Sequence, residues 1–181
     1  MTRSVLSRGS RLFVPALLVL ALGCAHGSSS ALHGSAVAAK GPRLDLGIRL
    51  SDGRWLELAD LRGRPLLLFV FATFDAVSQA SLKSLRPFVT LHPEIIVIGV
   101  AAQPRAGPLV GAWAYALDPP FPVGADPYGD VENGESCLGK IERVPTFIVY
   151  DARGYEVDRA TGLLSEADLA KLADPVLQST D

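Results

Sequence analysis

Two uninterrupted apolar runs constrain the fold of this chain more than any other feature. The first is Leu66–Phe71, and the second, Glu94–Val100, is apolar throughout after its first residue. A strand with one face in water alternates apolar and polar residues, whereas a strand without alternation is covered on both faces. Each run is therefore predicted to be a central parallel strand of an α/β sheet.

Shorter segments predict the rest of the sheet. Leu44–Leu50 alternates apolar and polar residues, and the turn after it leads into Trp55–Leu58 as a pairing partner. These two segments predict an N-terminal β-hairpin. Further extended segments are predicted at Phe121–Val123, Thr146–Tyr150 and Tyr155–Thr161.

Helices are predicted between these strands. Ala76–Leu91 carries apolar residues at helical spacing, and Pro87 within it is expected to kink or interrupt the helix. Other helices are predicted at Leu109–Ala116, within Val131–Leu138, and from Ser165, where Asp168 approximates a capping box. The order of elements predicts an α/β fold around a mixed sheet.

The N-terminus has the pattern of a lipoprotein signal. Residues 1–23 contain three arginines and no acid, and their apolar run, Leu12–Leu22, is 11 residues long. About 20 are needed to span a bilayer, so a signal peptide is predicted. Cys24 follows this run as in a bacterial lipobox, which predicts lipidation at Cys24, a membrane anchor and a place in the bacterial cell envelope. The alternative is an ordinary signal peptide. Residues 24–42 are predicted to form a flexible Ala/Gly/Ser tether, and 43–181 the folded domain.

Charge excludes one class of partner. Without its first 23 residues the chain has 14 basic against 19 acidic side chains, a net charge of −5. No basic patch with interleaved aromatic residues is present, so nucleic acid is not an expected partner. No cofactor and no metal site are predicted, and His26 and His33 are interpreted as solvated residues of the tether.

The order of elements and four local motifs resemble the thioredoxin superfamily, and within it the TlpA-like membrane-anchored thiol–disulfide oxidoreductases. The motifs are the leucine-rich step Leu56–Pro65, the approach to the active site Leu68–Phe74, the Val-Pro-Thr loop Val144–Phe147, and the turn Asp151–Gly154 with the later Gly162. The resemblance covers about residues 44–172. It implies a thioredoxin-like fold in which helices flank a central mixed sheet, with an N-terminal β-hairpin extension and a cis bond before Pro145.

The same resemblance implies that Asp75 and Ser78 occupy the two cysteine positions of the family. A thiolate at a helix N-terminus attacks a disulfide there, and a second cysteine resolves the mixed disulfide. A carboxylate and a hydroxyl cannot perform this exchange. Asp75 is predicted instead to cap the helix. Phe74 and Lys83 also depart from the family, which has tryptophan and proline at these positions.

The remaining thiol and the one histidine of the domain offer little alternative chemistry. Cys137 is the only cysteine after Cys24, and it is interpreted as a buried apolar residue. Pairing with another chain and a free, reactive thiol are the alternatives. A nucleophilic Ser78 would need a base, but His92 is expected at the far end of the sheet.

Two functional hypotheses follow. The first is a redox-inactive, degenerate envelope lipoprotein that binds or scaffolds a protein or peptide partner. Its contact surface would be the groove between Phe74–Asp75 and the loop Val144–Thr146. Under the competing interpretation Pro145 only shapes that loop. The second hypothesis is a thiol-dependent oxidoreductase or peroxidase that works through Cys137 or through a partner's cysteine.

Overall fold

A computed structural model describes residues 41–178 of the chain. The predicted signal segment 1–23, the lipidation at Cys24 and the tether up to residue 40 lie outside these described residues. Within residues 41–178 no helix is long and apolar enough to cross a membrane.

Seven strands within the described residues form one mixed sheet in the order β2-β1-β5-β4-β3-β6-β7. Their bounds are Gly47–Leu50 (β1), Trp55–Glu57 (β2), Leu66–Phe71 (β3), Ile96–Ala101 (β4), Val123–Ala125 (β5), Thr146–Tyr150 (β6) and Glu156–Thr161 (β7). The two apolar runs form β3 and β4, which pair in parallel near the centre of the sheet. Every residue of β3 is buried, which confirms the prediction of a strand covered on both faces.

The two faces of the sheet are covered differently. The helices are Ala76–Ala80 (α1), Leu82–Leu91 (α2), Ala106–Leu117 (α3), Asp130–Asn133 (α4) and Glu166–Leu177 (α5). Helices α2, α3 and α5 pack on one face through a cluster that includes Phe69, Phe88, Val110 and Leu169. The other face is covered by the N-terminal segment, a 3-10 turn at Leu58–Leu61, α4 and the loop after it. This arrangement confirms the predicted fold class.

The predicted N-terminal hairpin extends the sheet beyond β5. Strand β1 pairs with β2 on one side and with β5 on the other, antiparallel in both cases. It is shorter than predicted because the residues before it bond elsewhere: the N–H of Leu44 donates to Gly154 O at 2.7 Å. Residues 41–46 therefore cross the helix-poor face from the β7 side to β1. The hydrogen bond from Gly41 N to Glu156 O, at 3.3 Å, places the first contact two residues before the predicted domain boundary.

The predicted helix over residues 76–91 is divided at Ser81 into α1 and α2, and α2 continues through Pro87, so the predicted kink or interruption does not take the form of an interruption there. Ser81 is fully buried and ends α1: its backbone N–H and its hydroxyl both donate to Val77 O, at 3.0 and 2.9 Å, and its own carbonyl accepts Ser84 N–H at 3.2 Å and Leu85 N–H at 3.0 Å, which begins α2. Pro87 lies inside α2 on its exposed side. Because proline has no N–H, the carbonyl of Lys83, four residues earlier, has no helical donor there and can bond water instead.

The start of α5 and the end of α4 follow local capping rules. Ser165 caps α5, and Asp168 completes the predicted capping box. The short α4 begins one residue before the predicted segment and ends at Asn133, because Gly134 takes a left-handed φ of 75° as its C-cap.

Candidate functional site

The candidate site lies at the edge of the sheet where β3 and β4 end. The segment from Ala72 to Asp75 connects β3 to α1, and Ala102 N donates to Phe71 O at 2.9 Å, which holds the two strand ends together. Phe74 projects from this loop with 76% of its surface exposed. Single exposed apolar residues are common, so Phe74 is a candidate contact residue because Val77 and Leu163 are also exposed at this edge of the sheet.

Asp75 is the N-cap of α1, as predicted. Its Oδ2 accepts the backbone N–H of Ser78 at 2.6 Å, and its carbonyl accepts Gln79 N–H at 3.1 Å. The Asp75 carboxylate thus accepts one of the amides, Ser78 N–H, that would stabilise a thiolate at a helix start.

Ser78 is fully buried, and its Oγ accepts the backbone N–H of Ala72 at 3.4 Å. The hydroxyl therefore faces the connection between β3 and α1 and has no surface open to a substrate. This burial argues against Ser78 as a nucleophile.

Sequence reasoning missed Gln103, which fixes the loop from beneath. Gln103 follows β4, is only 6% exposed, and its Oε1 accepts the backbone N–H of Thr73. Its Nε2 donates to Thr73 Oγ1 at 2.9 Å, while Gln79 Nε2 donates to Thr73 O at 3.1 Å. Three hydrogen bonds on Thr73 hold the loop in one conformation. The sequence feature that could have indicated Gln103 is its position as the first polar residue after the apolar run that contains β4.

The loop before β6 forms the second wall of the site. The Val144–Pro145 bond is cis, as the resemblance implied, and Pro145 O accepts Gly162 N–H at 2.9 Å. Thr146 is buried, and its hydroxyl donates to Arg143 O at 2.6 Å. By contrast, the backbone N–H and C=O of Val144 make no hydrogen bond to any described residue.

Strand pairing brings the two loops to one edge of the sheet. Val70 pairs with Thr146 in the antiparallel ladder between β3 and β6, so the segment after Phe71 and the segment before Thr146 emerge side by side. Exposed apolar side chains lie on the loops and helix start at this edge, namely Phe74, Val77 and Leu163. The register therefore places the two loops that carry the predicted contact residues at the same edge of the sheet.

Comparison with known proteins identifies the architecture. No protein-family profile matches the chain, and no curated protein does. Among solved structures, a thiol:disulfide interchange protein of the thioredoxin family from Chlorobium tepidum superposes with a TM-score of 0.63 at 23% identity, covering 78% of this chain and 99% of that one. The chain has a thioredoxin-like fold.

Two further neighbours of this thioredoxin-like domain come from exported proteins. One is a secreted disulfide oxidoreductase of Mycobacterium tuberculosis, with a TM-score of 0.59, 18% identity, and coverage of 75% of this chain and 96% of that one. The other is the exposed lipoprotein thioredoxin Etrx1 of Streptococcus pneumoniae, with a TM-score of 0.59, 22% identity, and coverage of 70% and 96%. At these identities the likeness establishes the fold, and the activity has to be argued from the site.

Cys137 of the thioredoxin-like domain lies outside the groove, in the loop after α4. It is half-buried against the apolar cluster of the helix-poor face, and its Sγ accepts the backbone N–H of Asp45 at 3.3 Å. Burial raises the pKa of the Cys137 thiol, and the carboxylates of Asp45 and Glu156 raise it further, although the Asp45 N–H offsets part of the effect. A thiolate is therefore disfavoured, and this surrounding gives no support to Cys137 as a reactive centre.

His92 lies at the opposite end of the sheet, as expected. It is the C-cap of α2 and precedes β4, whereas the site lies where β4 ends. Its Nδ1 is 3.4 Å from Glu94 Oε1, and its Nε2 is 3.8 Å from Glu166 Oε1. It is therefore no base for Ser78. Among residues 41–178 no group of three or more His, Cys, Asp or Glu side chains is arranged to hold a metal ion.

Proposed function

We propose that this chain is a redox-inactive, thioredoxin-like binding module of the bacterial cell envelope. The observation that carries the proposal is the use of Asp75 and Ser78, whose side chains bond the local backbone at the start of α1. Thiol–disulfide exchange needs a sulfur nucleophile, and neither an aspartate nor a serine supplies one. The chain's two cysteines are Cys24, in the predicted lipidation motif, and Cys137, whose surroundings disfavour the thiolate.

The same edge of the sheet retains what peptide binding requires. Val144 offers an N–H and a C=O that no described residue uses, and an extended segment can pair with such groups as an added strand. Phe74, Val77 and Leu163 offer exposed apolar surface around it. The proposed partner is therefore an extended segment of another protein, bound between Phe74–Asp75 and Val144–Pro145.

Peptide binding should depend on Phe74. Peptides selected from a random phage-displayed library on the wild-type domain are expected to bind the Phe74→Ser variant about tenfold more weakly, because exposed aromatic anchors carry much of the energy of such contacts. Fluorescence anisotropy with the synthesised peptides measures the dissociation constants.

Leu91→Ser is the matched control. Leu91 is also a large exposed apolar residue, at 61%, but it ends α2 at the far end of the sheet. Its replacement should leave peptide affinity unchanged. Selection of no peptide, or equal losses in both variants, would contradict the proposed groove.

We also propose export and lipid anchoring through Cys24. The basic start, the apolar run and the cysteine at its end support this location, and both a secreted protein and a lipoprotein occur among the structural neighbours. Intact-mass measurement of chain extracted from membranes should give a mature protein that begins at Cys24 and carries a diacylglyceryl group. An unmodified N-terminus, or cleavage at another residue, would rule the anchor out.

A further inference from the structure

A cationic cleft adjoins the loop before β6, on the face of the sheet opposite α2 and α5. The cleft is open, with a volume of about 360 Å³, and Arg143 and Thr146 of the loop are among its lining residues. It is therefore continuous with the loop that carries Val144. The other polar residues that line it are Lys140, Glu142, Arg159 and Thr161.

One cation of the cleft is fixed in position by a buried acid. Arg159 Nε and Nη2 donate to the two carboxylate oxygens of Glu156, each at 2.6 Å, and Nη2 also donates to Leu138 O at 3.2 Å. Glu156 is only 6% exposed, so this pair is held firmly against the domain. Arg159 Nη1 has no hydrogen-bond partner among the described residues, which leaves its donors free for a ligand.

The other two cations have no partner in the described part of the chain. Lys140 and Arg143 are exposed, and neither forms an ion pair or a side-chain hydrogen bond to a described residue. Glu156 offsets Arg159, and Glu142 offsets one of the two free cations, so one positive charge remains in excess. The full chain, in contrast, has a net charge of −2. The cleft is a local exception on an acidic protein.

We infer that the cleft selects an acidic side chain in the segment bound at Val144. This inference rests on the proposed function and names the chemistry of its partner: an extended protein segment that carries an aspartate or glutamate beside its apolar contacts. Successive side chains of an extended segment point to opposite faces of the sheet, so every second one faces the cleft. A carboxylate there meets guanidinium and ammonium donors, which bind it through charge-assisted hydrogen bonds.

The experiment compares selected peptides. Random peptides fused internally to a phage coat protein have no free C-terminus, so any selected carboxylate belongs to a side chain. Selection on the wild-type domain should enrich Asp and Glu over the unselected library. A synthetic, amidated peptide in which the selected acid is replaced by its amide should bind about tenfold more weakly.

The variants test whether the cleft is responsible. Lys140→Gln/Arg143→Gln should abolish the preference for the acid while still binding the amide peptide. Lys83→Gln/Lys171→Gln removes the same charge from α2 and α5 on the opposite face and should keep the preference. Thermal unfolding should be the same for both double variants, since all four side chains are exposed.

Each outcome separates the two proposals. Phe74-dependent binding without an acidic preference, or with a preference that survives Lys140→Gln/Arg143→Gln, overturns this inference and leaves the proposed function standing. The inference is also overturned if the selected peptides, once synthesised, bind only with a free C-terminal carboxylate and lose their affinity when the C-terminus is amidated, because the bound anion would then be a chain end. Failure to select any Phe74-dependent peptide overturns the proposed function and this inference together.

Discussion

Replacing both Asp75 and Ser78 by cysteine is expected to turn an inactive protein into one that reduces insulin. The wild-type chain should not accelerate the reduction of insulin by dithiothreitol, because it lacks an activated thiol at the start of α1. In the double variant the cysteine at position 75 would lie near the backbone N–H of residue 78, which the Asp75 carboxylate accepts in the wild type. This N–H and the positive end of the helix dipole favour a thiolate. We expect turbidity to develop at least about tenfold faster than with dithiothreitol alone, since the second cysteine can resolve the mixed disulfide.

Two controls make this result specific. Asp75→Cys alone should form mixed disulfides without turnover, because a resolving thiol is missing. Cys137→Ser should change neither the wild-type rate nor that of the double variant. Reduction of insulin by the wild-type chain, lost in Cys137→Ser, would contradict the redox-inactive proposal and favour a thiol enzyme that works through Cys137.

Gly124→Ala is expected to destabilise the domain by about 3 kcal/mol. A Cβ on Gly124 would lie 2.6 Å from the carbonyl oxygen of Arg49 and 3.1 Å from Ile48 Cδ1. The obstacle is backbone of the neighbouring strand, which cannot rotate away as a side chain could. The substitution therefore forces β1 away from β5, the only strand that joins the hairpin of β1 and β2 to the described sheet. Urea denaturation followed by circular dichroism measures the free energy of unfolding.

The same substitution at Gly107 should have the opposite sign. Gly107 lies in the first turn of α3, and an added Cβ there would meet no atom within 4 Å. Alanine restricts the unfolded chain and favours the helix, so a gain of about 0.5 kcal/mol is expected. If both variants fell within experimental error of the wild type, the close packing of β5 against β1 would be in error.

Sequence patterns predict the centre of this fold well because burial on both faces leaves a direct compositional trace. The residues of β3, Leu66–Phe71, could be delimited in this way without any structure. Asp75 was predictable as a helix cap for a similar reason, since capping involves residues three apart. The sequence favours a kink or interruption at Pro87, because proline lacks a backbone N–H, whereas the helix is divided at the buried Ser81 and continues through Pro87 on its exposed side.

The parts of the site that sequence could not predict depend on contacts between distant residues. Gln103 reaches Thr73 across 30 residues, and no local pattern indicates that pairing. The cleft likewise combines Arg159, from β7, with the loop that carries Arg143, and its charge can be counted only after folding brings them together. Contacts between distant residues therefore determine the shape and charge of the surface that a partner would meet. Strand patterns determine only where the sheet and its edges lie.

Residues 41–46 begin at the end of β6 and β7 that lies opposite the proposed groove. Gly41 joins the sheet beside Glu156, whose partner in the β6–β7 ladder is Tyr150, whereas the proposed groove lies where Thr146 pairs with Thr161. Gly41, where the described chain begins, is thus held at one end of these strands, and the proposed groove lies at the other. A partner bound at the proposed groove would therefore lie at the end of these strands remote from Gly41.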